Sequence, residues 1–136
     1  MEKANLFSST TRFKEEIKPM DKTSEAILSL RPVTFHYKKQ FDSDRTPQFG
    51  LIAEEVAKVD PGLVLRDERG NISAVRYEEV NAMLLNEFLK EHAKVEKLEA
   101  ALAAVNERLK KQDAKIDKVN ARVDKMHLSP QLANNQ

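Results

Sequence analysis

The stretch Lys94–Met126, KVEKLEAALAAVNERLKKQDAKIDKVNARVDKM, holds neither glycine nor proline. Val95, Leu98, Leu102, Val105, Leu109, Gln112, Ile116, Val119, Val123 and Met126 recur within it at alternating steps of three and four. That is a heptad stripe sustained beyond four repeats, the signature of a coiled coil. Placing Val95, Leu102, Leu109, Ile116 and Val123 at a puts Leu98, Val105, Gln112, Val119 and Met126 at d. Lys94 at g then meets Glu99 at e of a parallel neighbour, and Arg108 meets Asp113 in the same way. A helix of an intramolecular bundle would need a second helix of similar length, and the sequence offers none. The pairing is therefore expected between chains. Mixed Val, Leu and Ile at the core positions do not favour a dimer. Arg108–Asp113, RLKKQD, resembles a trimer signature of Arg at g, apolar residues at a and d, and an acid at e. Gln112 departs from it. A buried Gln costs stability but pins register, as a buried Asn does at a. The expectation is a parallel homotrimer.

At ~1.5 Å per residue, a helix from about Glu79 to Met126 runs roughly 70 Å. Pro130 in LSPQLANNQ is expected to end it, leaving 128–136 as a flexible tail.

Upstream the character changes. Four of the five prolines and all three glycines lie before residue 71. DKTSEAILSLRP reads as a short helix with Asp21 as N-cap, an apolar side of Ile27, Leu28 and Leu30, and Pro32 as its stop. EEIKPM before it reads as a short strand or extended entry turning at Pro19. VTFHYK alternates with period two, a half-buried strand. KKQFDSDRTP is a polar loop. QFGLIA reads as a buried strand, with Gly50 at a close backbone approach. EEVAKVD is a short helix closed by Pro61, and GLVLRDERGNISAVRY a pair of strands turning around Asp67 and Gly70. The fold class is α+β: a small mixed head followed by a long C-terminal coiled-coil helix. The expected divisions are a leader 1–8, the head 9–83, the coiled-coil helix 84–127 and the tail. A head of this size buries only about 60% of its unfolded surface, so association is expected to support it.

Composition narrows the function. The chain is 33% charged and 6% aromatic, with a formal net charge of +1 and no cysteine. Near-neutral charge without a basic run gives no footprint for nucleic acid or an anionic membrane. No apolar run approaches the roughly 20 residues of a membrane span, and MEKANLFSS lacks a signal-peptide core. Disulfides, thiolate metal sites and a cysteine nucleophile are excluded. His36, His92 and His127 are scattered, and no metal or phosphate motif surrounds them. No metal and no cofactor are expected. The pairs Glu15–Glu16, Glu54–Glu55 and Glu78–Glu79 are sequence neighbours that share no face, and read as solvated carboxylates.

SSTTRFK, Ser8–Lys14, remains. A serine hydroxyl is a poor nucleophile until a base takes its proton. A lysine serves only when neutral, which calls for desolvation or a nearby cation, and Arg12 lies two residues from Lys14. By spacing alone, Ser9 and Lys14 read more readily as a solvated leader.

The order of features goes further. STTRFKEEIKPM, LSLRPVTFHYK, QFGLIAEEVAKVDPGLV and VRYEEVNAMLLNEFLKEH, followed by heptads, resemble the intramolecular chaperone auto-processing domain. That family ends phage endosialidases and tail fibres, and occurs in bacterial surface proteins and a eukaryotic membrane-tethered transcription factor. The resemblance runs from Ser9 to about Glu91. It implies a domain that trimerises, helps an upstream fibre-like passenger to fold, and cuts itself off before a serine in a pattern close to Ser-Asp-x-Arg-x-Lys. Carried onto this chain, Ser9 is the nucleophile on the Ser8 carbonyl, Lys14 is the base and then the donor to the leaving amine, and Ser8–Ser9 is the bond cut. Thr10 stands where the family often has an acid. It can orient by hydrogen bonding but holds no ion pair with Arg12. The alternative is the same fold used as a trimerising or capping module without cleavage. A third reading is an adaptor whose head binds another protein. The eight residues before the cut imply a piece of a longer fibre, a stand-alone assembly copy, or a chain close to the released product. A fibre origin would place the protein on a virion or bacterial surface.

Overall fold

A computed structural model of the protein describes the backbone of residues 9–133, with side chains through Leu128. The expected leader, including Ser8, lies outside the described residues. The order is a 3-10 turn Thr11–Phe13, a longer 3-10 segment Asp21–Ser29, β1 Val33–Phe35, β2 Gln48–Gly50, α1 Ala53–Val59, a 3-10 turn Pro61–Leu63, β3 Val64–Arg66, β4 Ile72–Val75 and α2 Tyr77–Ala133. This is an α+β chain with two small sheets and a long C-terminal helix. Two compact units divide between Leu89 and Lys90. Among the described residues, no helix is long and apolar enough to cross a membrane.

Both sheets are antiparallel pairs, β1 with β2 and β3 with β4. Val33 lies opposite Gly50 and Phe35 opposite Gln48. Asp67 shapes the β3–β4 turn: its Oδ1 accepts from the Arg69 and Asn71 amides, and its carbonyl accepts from the Gly70 amide. Gly70 has φ +85°, a conformation open to glycine. Val56, Leu63, Val64, Val75 and Met83 form the buried core, with Met20, Ala26, Ile27, Leu30 and Val80 packed around it. α1 contributes Val56. The first turns of α2 contribute Val80 and Met83, three residues apart and so on one helix face.

Gly50 marks a close approach, as expected. A Cβ there would meet Tyr77 Oη at 3.0 Å and Phe35 Cε1 at 3.3 Å. The same hydroxyl accepts from the Leu51 amide at 3.1 Å. Gly50→Ala is expected to displace Tyr77 and cost about 1 kcal/mol of head stability, read as a lower urea midpoint.

Several local expectations need correction. EEIKPM forms no strand: Glu16 takes a left-handed φ of 51° and the chain runs on irregularly to Met20. Asp21 is no side-chain N-cap: it begins the 3-10 segment at φ 47°, and its carbonyl is the group engaged. Leu28 faces solvent, because 3-10 winding turns it away from Ile27 and Leu30. The VTFHYK strand stops at Phe35, and Tyr37 packs edge-on to that ring with centroids 5.2 Å apart. QFGLIA is not buried throughout: Phe49 is 82% exposed. In a two-stranded ribbon one face is covered by the head and the alternate residues face outward. α2 continues past Pro130 to Ala133. A proline so near a helix end disturbs only the last turn.

Two surface carboxylates tie stability to pH. Arg31 grips Glu55 with two hydrogen bonds, and this contact holds the Glu55 carboxyl below its ordinary value of 4.5. Hydrogen bonds from Asn71, side chain before backbone, hold Asp67 below 3.8. A carboxylate depressed in the folded state stabilises above its unfolded pKa, and that contribution fades as pH falls through the lowered value. Thermal melts should therefore be level above about pH 5 and fall below about pH 4. Asp67→Ala should flatten part of that fall. Both groups are exposed, so the effect is modest.

Candidate functional site

A single turn decides the geometry of the N-terminal segment. Thr10 enters it with extended backbone, and its Oγ1 accepts from the Arg12 amide at 3.4 Å. The Phe13 and Lys14 amides donate to the carbonyls of Thr10 and Thr11 at 3.2 and 3.1 Å. This winding folds Lys14 back toward the start of the segment. Lys14 Nζ donates to Ser9 Oγ at 3.1 Å. The Arg12 guanidinium lies over the Phe13 ring, 4.6 Å from its centroid, a cation–π contact. Thr10 thus holds the backbone of the turn, and Arg12 packs on its neighbour. Residues 9–14 are all exposed.

The pair has defined chemical capacity. As an ammonium, Lys14 donates to the hydroxyl. As a neutral amine at the same position, it would accept the Ser9 proton, within the hydrogen-bond reach that general-base catalysis requires. Ser8 lies outside the described residues.

The other candidates are dispersed. His92 Nε2 lies 3.6 Å from Glu96 Oε1 on α2, while His36 and His127 are exposed. Among the described residues, no group of three His, Cys, Asp or Glu side chains could hold a metal ion. The ten stripe positions from Val95 to Met126 are exposed along α2. Their apolar members range from 42% exposed at Val123 to 69% at Met126.

One cluster escaped sequence reasoning. Ser24 is fully buried and donates to Glu87 Oε1, while Asn86 Nδ2 donates to Ser24 Oγ at 2.7 Å. The available signal was periodicity. Glu87 follows Val80 and Met83 at steps of three and four, so a charged residue falls on the inward face of α2.

The family model described as chaperone of endosialidase matches residues 9–65. The matched segment is similar to that family. The chaperone-of-endosialidase match opens on Ser9 and runs through Lys14, β1, β2 and α1 into β3. It supports a chaperone role, and it is the family the sequence resembles. Among curated proteins, none matches the chain.

Proposed function

We propose that this protein is an intramolecular chaperone module that trimerises an upstream fibre-like passenger and releases itself by cutting between Ser8 and Ser9. The hydrogen bond between Lys14 Nζ and Ser9 Oγ is the observation that carries the reading. In the proposed reaction, Lys14 as the neutral amine takes the hydroxyl proton while Ser9 Oγ bonds to the Ser8 carbonyl carbon. The C–N bond then breaks, and Lys14 returns the proton to the Ser9 amine. Water cleaves the resulting ester, leaving a Ser8 carboxylate and restoring the Ser9 hydroxyl. Each chain cuts once, so this is a single-turnover serine endopeptidase.

Assembly supplies the trigger in this reading. Lys14 is exposed, and an ammonium, the form of an amine that water favours, is no base. Covering that side chain in a trimer removes the water and favours the neutral amine. Exposed Phe13, Ile17, Leu28, Phe41 and Phe49 give the head apolar surface for association, alongside the α2 stripe.

A soluble reporter fused ahead of the chain tests the proposal. Self-release in wild type supports it. A fusion that stays whole and trimeric leaves the non-cleaving trimerisation module as the function.

A further inference from the structure

The segment carrying Ser9 and Lys14 reaches the core through a backbone of unusual shape. Residues 9–19 are exposed, and Met20 is the first side chain to pack on the core. The described hydrogen bonds of 9–14 all stay within the segment. Its direction is therefore set between Glu16, left-handed at φ 51°, and the join with the head. There Asp21 holds φ 47°, a left-handed conformation that costs a non-glycine residue free energy. Changing that angle to an ordinary negative value would swing everything upstream.

The Asp21 carbonyl is held from α2. Asn86 Nδ2 donates to it at 3.1 Å, and Ser24 Oγ lies 3.3 Å from it. Asn86 also donates to Ser24 Oγ, and the Ser24 hydroxyl hydrogen goes to Glu87, which is 7% exposed. Asn86 thus bridges the strained Asp21 peptide to the buried Ser24–Glu87 pair. Buried polar groups must be paired, so each partner constrains the others.

We propose that Asn86, Ser24 and Glu87 are positioning residues that lock Asp21 in its left-handed conformation and so aim the Ser9–Lys14 segment for self-cleavage. The inference rests on the self-cleavage reading. It ties the direction of that segment to α2, the helix whose stripe is proposed to bring three chains together.

The test compares cleavage of the reporter fusion in wild type, Asn86→Ala, and Asn86→Ala with Asp21→Gly. Hydrogen exchange of the Thr23 amide, which donates to the Met20 carbonyl across this turn, is followed in each. Asn86→Ala should slow cleavage about tenfold, the scale of one left-handed penalty, and speed Thr23 exchange. Asp21→Gly should restore the rate, because glycine adopts positive φ without strain. Glu87→Gln, which keeps an oxygen for Ser24, should cut near the wild-type rate. Asn86→Ala cutting at the wild-type rate overturns the positioning role and leaves self-cleavage standing. Unchanged Thr23 exchange in Asn86→Ala overturns the lock, cleavage or not. Faster exchange in Asn86→Ala with an uncut wild-type fusion upholds the lock and removes the cleavage reading instead.

Discussion

A Ser9→Ala fusion is expected to remain joined to its reporter under conditions where the wild-type fusion separates. Alanine removes the oxygen that would bond to the Ser8 carbonyl, and no other described side chain replaces it beside Lys14. Lys14→Ala should lower the rate by about 10²–10⁴-fold, the range of general acid–base contributions. Lys14→Arg is the sharper control. It keeps a cation and hydrogen-bond donors near Ser9, but a guanidinium does not give up its proton in proteins. A lysine needed only to hold the hydroxyl would tolerate arginine. A lysine needed as base would not, and Lys14→Arg should be as slow as Lys14→Ala. These substitutions fall on exposed residues, so melting temperature should barely change, which separates lost chemistry from lost fold.

The second large effect concerns α2. Leu102→Asp with Leu109→Asp should convert the proposed trimer to monomer and abolish release of the reporter. A fully buried leucine contributes roughly 1.5–3 kcal/mol. Two per chain in three chains make about 9–18 kcal/mol, before the cost of burying six carboxylates. Both positions lie beyond Leu89, in the unit separate from the head, so the head's secondary structure should survive. Sedimentation gives the mass, and the reporter assay gives the rate. A monomeric variant that still cuts itself would break the proposed link between assembly and chemistry. Gln112→Leu should act oppositely, raising coiled-coil stability while loosening register.

Much of this was legible in the sequence, for identifiable reasons. Period alone marked α2, because a glycine- and proline-free heptad run admits little else. The β3–β4 turn was equally plain, since Asp67 and Gly70 supply the hydrogen-bond acceptor and the positive φ that a tight turn needs. The Ser9–Lys14 pairing was nameable from spacing and resemblance, but its closeness depends on the one-turn winding of Thr11–Phe13. Propensity does not announce so short a helix. Phe49 misled because an apolar run looks alike in a buried strand and in a ribbon with one uncovered face. Asp21 misled because a residue fit for an N-cap also tolerates left-handed backbone. The Ser24–Asn86–Glu87 cluster joins residues more than sixty positions apart, and no local pattern encodes such a meeting.

The most direct measurement is the intact mass of the C-terminal product from the wild-type reporter fusion, taken beside Ser9→Ala. The expected product begins at Ser9, with the Ser8 carboxylate left on the reporter and none formed by the variant. A wild-type fusion that stays whole, a product beginning elsewhere, or equal release from Ser9→Ala would contradict self-cleavage by Ser9 and Lys14.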